Sequence, residues 1–433
     1  KEKDVDMIGL SGLITPSLDE MVHVAAEMKR QNFEVPLLIG GATTSKAHTA
    51  VKISPEYDHP VVHVLDASRS VPVAGNLLSK DANVKKKFFD EIKESYQQMR
   101  DQHAARKSSK KTIDLESARK NKVKADWKDL NYKKPSFLGR KELPDFNLAE
   151  LREYIDWTPF FSTWQLAGKF PAILKDDKVG EEATRLYKDA QKMLDTMIRE
   201  KWLQAKGVVG FWPAQSVGDD IVLYKDDDRK EKLNVLHQLR QQGKKADGIP
   251  NLCLADFVAN GEGGNDYVGG FAVTAGLGIE KKLKEFEAEH DDYNSILLKA
   301  LADRLAEAFA ERLHQLVRTE FWGYAEEEEL DNEALIKENY QGIRPAPGYP
   351  ACPDHTEKET LFELLQAEEI GIKLTESFAM YPAASVSGLY FMHPHSKYFG
   401  LGKIERDQLA DYAKRKGKSE AEMERWLRPV LNE

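Results

Sequence analysis

The sequence predicts two fold classes in one chain: a truncated, doubly wound, Rossmann-like α/β part, followed by an α+β domain with an antiparallel sheet. Up to about residue 100, short apolar runs alternate regularly with helical patterns, which is typical of a parallel sheet covered by helices. Beyond about residue 146, predicted strands and helices mix without that alternation. We therefore expect one domain at 1–103 and a second at 104–433, with 104–145 as a basic tether and lead-in.

The N-terminal pattern consists of three strands separated by two helices. The strands are predicted at 5–10, 35–40 and 61–65, and the helices at 18–30 and 46–53. A doubly wound domain is not expected to begin with a strand so close to its first residue, so we expect the first half of this domain to be missing. Ligands of such sheets lie beyond the carboxyl ends of the strands, where Ser11, Thr15 and Gly40 fall.

The second domain is predicted to contain two long helices, one short helix and several antiparallel strands. The helices are expected at 181–203, 295–321 and 361–367, and the strands at 208–212, 220–224, 267–274, 377–380 and 385–392. The longest helix carries Ala302, Leu305, Phe309 and Leu313 on one apolar face. Gly269 and Gly270 predict a bulge or a close backbone approach in their strand.

Composition excludes several classes of function. The formal net charge of −9 over 433 residues argues against nucleic acid as the main partner. Two cysteines without a CxxC or Cys/His cluster argue against a disulfide scaffold and a zinc site, and favour the reducing cytoplasm. Apolar runs are too short for a membrane span, and the first residues do not form a signal peptide.

The most informative stretch is the loop at 344–353, which contains four prolines in ten residues. Proline lacks a backbone N–H and fixes φ, so the loop is expected to be stiff and extended. Arg344 offers two parallel hydrogen bonds to a carboxylate or phosphate, Gly348 permits close approach to the main chain, and Tyr349 adds an aromatic face. The alternative is a rigid connector in which Arg344 caps a neighbouring helix.

Several motifs resemble one protein family in its own order. The segments at 338–358, 374–380 and 396–399 closely resemble the C-terminal activation domain of the cobalamin-dependent methionine synthase family, and those at 13–21 and 38–46 look like the second half of its cobalamin-binding domain. The resemblance implies a methyltransferase of methionine biosynthesis, which moves a methyl group from methyltetrahydrofolate to homocysteine. It also implies that this part uses S-adenosylmethionine (AdoMet) to remethylate oxidised cobalamin after one-electron reduction.

The resemblance implies binding residues for two cofactors. AdoMet would place its carboxylate on Arg344 and its ammonium group near Asp156. The other residues implied for AdoMet are Gly348, Tyr349, Tyr398 and Phe399, and those implied for cobalamin are Ser11, Thr15, Gly40, Gly41 and Ala67. The family has a second tyrosine where this chain has Phe399. For the cobalamin residues, ordinary turn positions are the alternative. No general acid, general base or metal ligand is assigned.

The same resemblance defines the expected partners. The cobalamin site would be incomplete in this chain, and zinc would belong only to regions upstream. Those upstream domains of the same polypeptide and a flavodoxin-like electron donor are the implied partners, with the basic stretch at 106–134 as a docking segment or simply a solvated linker. The stretch at 101–106 approximates a cobalt-binding loop but is predicted to be a helix end. The alternative function is a noncatalytic module that senses AdoMet or a nucleotide.

Overall fold

The computed structural model describes residues 5–12, 17–107, 111–123, 127, 132–261 and 264–432. The chain divides into two compact units. Unit 1 comprises Lys1–Ile113 and Glu424–Pro429, and unit 2 comprises Asp114–Met423 and Val430–Glu433. Within the described ranges, every helix is too short or too polar to span a lipid bilayer.

Unit 1 contains a parallel sheet whose strands lie in sequence order. The strands are β1 (Ile8–Ser11), β2 (Leu37–Gly40) and β3 (Val61–His63), and the helices are α1 (Ser17–Arg30), α2 (Lys46–His48), α3 (Ala67–Leu77) and α4 (Ala82–Lys107). A π-helical turn, Thr49–Ile53, continues α2. The parallel pairing agrees with the alternation of strands and helices in the sequence. In the first strand, half-buried residues alternate with exposed ones.

The small core of unit 1 forms between the sheet and its helices. Met21, Ala25 and Met28 of α1 pack against Leu37 and Ile39 of β2. Their spacing places the three α1 residues on one helix face, which explains why the helical pattern was visible in the sequence. The stretch at 101–106 lies within α4, as predicted.

Unit 2 is built on an antiparallel sheet centred on one long strand. Its strands are β4 (Gly139–Phe146), β5 (Gln204–Val217), β6 (Asp220–Tyr224), β7 (Lys232–His237), β8 (Asp266–Leu277) and β11 (Ser385–Tyr390), and β9 (Lys373–Leu374) with β10 (Met380–Tyr381) forms a separate pair. One edge of β5 pairs with β8, which in turn pairs with β11. The other edge pairs first with β4 and then with β6. The α+β class predicted for this domain is confirmed.

The helices of unit 2 cover both faces of that sheet. They are α5 (Leu115–Lys120), α6 (Leu148–Leu151), α7 (Trp157–Thr163), α8 (Gly180–Glu200), α9 (Ile279–Ala288), α10 (Asp292–Leu316), α11 (Asn332–Ile336), α12 (Glu357–Leu365), α13 (Arg406–Lys416) and α14 (Glu420–Leu427), whose last four residues are assigned to unit 1. Val209 of β5 packs in the core containing α8 and α10, whereas Val208 packs in the core containing α12. Successive side chains of a strand point to opposite faces, so β5 contributes to both cores.

The longest helix has the predicted apolar face. Ala302, Leu305, Phe309 and Leu313 of α10 are fully buried. The final turn of the predicted helix, Val317–Phe321, is π-helical. The pattern therefore predicted both the helix and the face that it buries.

The predicted basic tether is folded in part, which corrects the expectation of a solvated linker. Leu115 and Ala118 of α5 are buried, and Arg119 forms ion pairs of 2.7 Å with Asp219 and with Asp411. The positive charge of Arg119 is thus paired within unit 2. Strand β4 likewise places the start of the folded unit well before residue 146.

Two smaller predictions about strands also need correction. Residues 377–379 form a turn instead of a strand, because Phe378 has a left-handed φ of 60° and its N–H donates to the carbonyl of Thr375. Gly269 and Gly270 do not form a bulge, since their pairing with β5 is regular. The close approach expected there is present: a Cβ at position 270 would lie 2.8 Å from Leu361 Cδ1.

Candidate functional site

The proline-rich loop lies against a polar stripe on α10 and the turn that follows it. Glu307, Glu311, His314 and Arg318 are spaced by four, three and four residues, so they share one face of that helix. This stripe runs beside the buried apolar face. Arg344, at the start of the loop, contacts two of its members.

Arg344 is held by one charged and two neutral partners. Its Nη2 donates to Glu311 Oε2 at 2.6 Å, and its Nη1 donates to the Tyr340 hydroxyl at 2.7 Å and approaches His314 Nδ1 at 3.2 Å. The Arg344 side chain is only 18% exposed. The alternative role expected for this residue, capping a helix, does not describe these contacts, since all three partners are side chains.

His314 accepts from Arg344 as a neutral imidazole. Burial, followed by the positive charges of Arg318 and Arg344, holds its pKa well below the usual value. A neutral ring with Nδ1 as acceptor carries its proton on Nε2. Glu311 is therefore the charged partner of Arg344, and His314 and Tyr340 orient the guanidinium without changing its charge.

The main chain of the loop is fixed to strand β11 and to Tyr398. The N–H of Arg344 donates to the Tyr398 hydroxyl at 3.0 Å, and the carbonyl of Pro345 accepts from the N–H of Leu389 at 2.8 Å. Burial raises the pKa of Tyr398, so its hydroxyl stays protonated at neutral pH. Its side chain remains 40% exposed, which leaves part of the ring accessible beside Arg344.

In the middle of the loop, His355 lies against Gly348. Gly348 has a φ of 93°, and a Cβ at this position would lie 2.5 Å from His355 Cε1. The close approach expected at this glycine is thus made, on one side, by an imidazole of the same chain. Tyr349, next to it, is 62% exposed. Desolvation and the nearby charges of Glu307 and Asp303 raise its pKa.

Asp156 caps the helix that carries the aromatic cluster of the domain. Its Oδ1 accepts from the N–H of Thr158 at 2.9 Å, which gives α7 its N-cap. The preceding Tyr154 donates its hydroxyl to Gln315, one turn after Glu311 on α10. Asp156 therefore belongs to a segment attached to the same helix as the partner of Arg344.

Phe399 contributes an apolar surface only. It is partly buried against the core that contains α12, and its ring centroid lies 6.5 Å from that of Phe257. Because phenylalanine has no hydroxyl, the contact that a tyrosine would make at this position is absent from its side chain.

The residues expected to bind cobalamin lie in unit 1. Ser11 and Gly40 are register partners at the carboxyl ends of β1 and β2. Gly41 has a φ of 105°, and a Cβ there would lie 2.3 Å from the carbonyl oxygen of Gly12, so this glycine is required by the local backbone. Ala67 is the first residue of α3. Thr15 lies outside the described residues.

Three acidic residues near Arg344 were not identified from the sequence. Loss of hydration raises the pKa of Glu307 and of Glu338, and the negative charge of Glu311 adds to both shifts while Arg344 opposes them. The spacing of Glu307 and Glu311, four residues apart beside the apolar face of α10, is a signal that the sequence contains. Glu338 lies in a turn with a left-handed φ of 55°, which no pattern predicted.

Comparisons with known proteins cover most of unit 2. Residues 147–417 match the model of a family described as vitamin B12 dependent methionine synthase, activation domain. A crystal structure of the MetH reactivation domain bound to AdoHcy is 58% identical in sequence, with a TM-score of 0.73. That match covers 74% of this chain and 99% of the other.

Proposed function

The chain belongs to the family of vitamin B12 dependent methionine synthase activation domains, and we propose that its unit 2 binds AdoMet at the Arg344 loop for the methylation of cobalamin. The observation that carries the proposal is the arrangement of Arg344 beside an acidic surface, in a chain 58% identical to a domain bound to AdoHcy. AdoMet combines a carboxylate with an ammonium and a sulfonium group. An arginine surrounded by carboxylates suits that combination of charges.

The residues present fit the amino-acid end of AdoMet. Arg344 is anchored by Glu311, Tyr340 and His314, so its orientation is set before a ligand arrives, which lowers the entropic cost of binding. Tyr398, beside the start of the loop, and Tyr349, in its middle, are 40% and 62% exposed. Asp156 would face the ammonium group, and its carboxylate charge is available because N-capping uses Oδ1.

Unit 1 would contribute the second half of a cobalamin-binding domain, with upstream domains of the polypeptide completing it. Ser11, Gly40 and Ala67 lie where the strands of its parallel sheet end, which is the usual ligand edge of such sheets. When bound, cobalamin supplies the nucleophile that takes the methyl group of AdoMet. The protein then has to position the two groups and exclude water, so no general acid or base is required. A flavodoxin-like protein would provide the electron.

Calorimetric titration with AdoMet tests the proposed site. A single Arg344→Ala change would leave Glu311 buried and unpaired, so the test uses Arg344→Gln combined with Glu311→Gln, which removes both charges together. Loss of a charge-assisted hydrogen bond costs about 1.5–3 kcal/mol, so we expect affinity to fall about tenfold or more. The matched control removes the Arg140–Glu369 pair by the same two substitutions and should bind AdoMet as wild type does.

The role of Asp156 is tested separately from its role as a cap. Asparagine also caps helices, so Asp156→Asn keeps the N-cap of α7 and removes the charge. We expect weaker AdoMet binding without a loss of thermal stability. Asp331→Asn, at the N-cap of α11, is the control. The proposed site would be refuted if Asp156→Asn and the double variant Arg344→Gln, Glu311→Gln both bound AdoMet with wild-type affinity.

A further inference from the structure

Arg344 has a carboxylate of its own protein in direct contact. The Glu311 side chain is 9% exposed, and its Oε2 accepts from Arg344 at 2.6 Å. Its other oxygen, Oε1, is buried and makes no hydrogen bond in the described part of the chain. The negative charge of Glu311 is therefore poorly screened by solvent and acts directly on the group expected to hold the ligand.

We propose that Glu311 is the specificity-determining residue of this site: by neutralising Arg344, it selects a zwitterionic or cationic ligand and excludes phosphate-bearing nucleotides. The inference rests on the proposed function, because it concerns the same site. An arginine without such a partner binds phosphates well, since its planar fork matches them as readily as it matches carboxylates. The Arg344 loop therefore needs a feature that rejects nucleotides.

The other charges around Arg344 reinforce the effect of Glu311. Glu307 and Glu338 interact with both members of the Arg344–Glu311 pair, and Glu311 raises the pKa of each. The nearby arginines have carboxylate partners of their own: Arg318 is paired with Glu328 at 2.7 Å, and Arg304 with Asp303 at 2.5 Å. Acidic groups thus outnumber the unpaired positive charge at the loop.

Ligand charge decides the outcome at such a site. AMP shares its adenosine with AdoMet but carries a phosphate dianion, which would meet an arginine already neutralised and two further carboxylates. AdoMet brings one carboxylate together with two positive groups, so its own charges are complementary to the arginine and to the acids. Rejection of the wrong ligand by repulsion is a common basis of specificity.

The experiment compares the affinities of AdoMet and AMP, measured by calorimetry without divalent metal, in wild type, Glu311→Gln and Tyr340→Phe. Glutamine keeps the size and one acceptor oxygen of Glu311 but removes the charge. We expect AMP to bind at least tenfold more tightly to Glu311→Gln than to wild type, while AdoMet binding is equal or weaker. Tyr340→Phe also removes a partner of Arg344 but leaves the charge unchanged, so its AdoMet-to-AMP ratio should stay within about twofold of wild type.

An unchanged ratio in a folded Glu311→Gln protein would overturn the inference, as would an equal change in Tyr340→Phe. A wild-type protein that does not bind AdoMet would instead refute the proposed function. If Glu311→Gln does not fold, salt dependence in wild type decides: AMP affinity should rise with salt as repulsion is screened, and AdoMet affinity should fall. A fall in AMP affinity with added salt would show that Arg344 is not neutralised.

Discussion

The imidazole of His355 lies where a side chain at position 348 would have to lie, with its Cε1 2.5 Å from the place of a Cβ. Gly348→Ala therefore introduces both a left-handed alanine and a collision with a ring. We expect a loss of about 2–4 kcal/mol in the free energy of unfolding of unit 2, with weaker AdoMet binding. Thermal unfolding and calorimetric titration measure the two effects.

Gly402→Ala is the matched control for this prediction. Gly402 also has a left-handed φ, of 76°, but no atom lies within 4 Å of its Cβ position in the described structure. Gly402→Ala should therefore lose only the free energy that a left-handed backbone costs an alanine, about 1–2 kcal/mol. His355→Ala should restore part of the stability of Gly348→Ala by removing the ring. Equal losses at both glycines, without such a rescue, would contradict the collision.

The sequence predicted the elements of this site better than their contacts. The apolar spacing of α10 and the prolines of the loop are local signals, so both elements were recognised. The partner of Arg344 is 33 residues away in sequence, at Glu311, and only the packing of the loop on α10 brings them together. The folded part of the tether was missed for the same reason, since Arg119 finds its carboxylates 100 and 292 residues further along.

A second prediction concerns the buried charge of Lys416. Its Nζ donates to Asp354 Oδ2 at 2.7 Å, Glu357 Oε1 at 2.6 Å and Thr356 Oγ1 at 2.6 Å. Lys416→Met would leave two buried carboxylates without a counter-charge, which costs about 3–5 kcal/mol. Lys418→Met removes a half-exposed lysine paired with Glu422 on the surface, and should cost less than about 0.5 kcal/mol. Chemical denaturation of the three proteins provides the comparison.

The loss in Lys416→Met should depend on pH. Burial would raise the pKa of Asp354, but the charge and hydrogen bond of Lys416 hold it below the usual value. A carboxyl with a depressed pKa contributes stability above its unfolded pKa, and that contribution is lost as the pH falls through the folded pKa. The difference between wild type and Lys416→Met should therefore shrink below about pH 4. A difference that grows on acidification would contradict the pairing.

A third prediction uses Asp266, whose carboxyl is buried between two backbone donors. The N–H groups of Ala259 and Tyr267 donate to it at 3.0 and 2.7 Å, yet burial raises its pKa to about 6. Because the folded pKa exceeds the unfolded value, this group favours folding at low pH, and that contribution disappears as the pH rises to 6. Raising the pKa from 3.8 to about 6 corresponds to about 3 kcal/mol.

Comparison with Asp266→Asn separates the contribution of Asp266 to stability from the contributions of the other titrating groups. Asparagine does not titrate, so the stability of wild type minus that of the variant should fall by about 2.5 kcal/mol between pH 4 and pH 7. Urea denaturation of both proteins at several pH values measures it. A difference that is constant across this range would mean that Asp266 has an ordinary pKa.

The last prediction is that protease removes residues 1 to about 100 before it cuts unit 2. The core of unit 1 is small, and Leu65 and Val71 are 69% and 73% exposed. In the described part of the sheet, β1 pairs only with β2, which leaves one edge of a short parallel sheet without a strand. Segments with few buried apolar contacts open at a lower free energy than extended cores. Limited digestion with thermolysin, followed by mass spectrometry, should therefore yield a stable fragment that begins near α5.

Added AdoMet should slow the later cleavage of that fragment and leave the first cuts unchanged, since its proposed site lies in unit 2. Equal resistance of both units would show that unit 1 is more stable than its core and exposed apolar residues indicate.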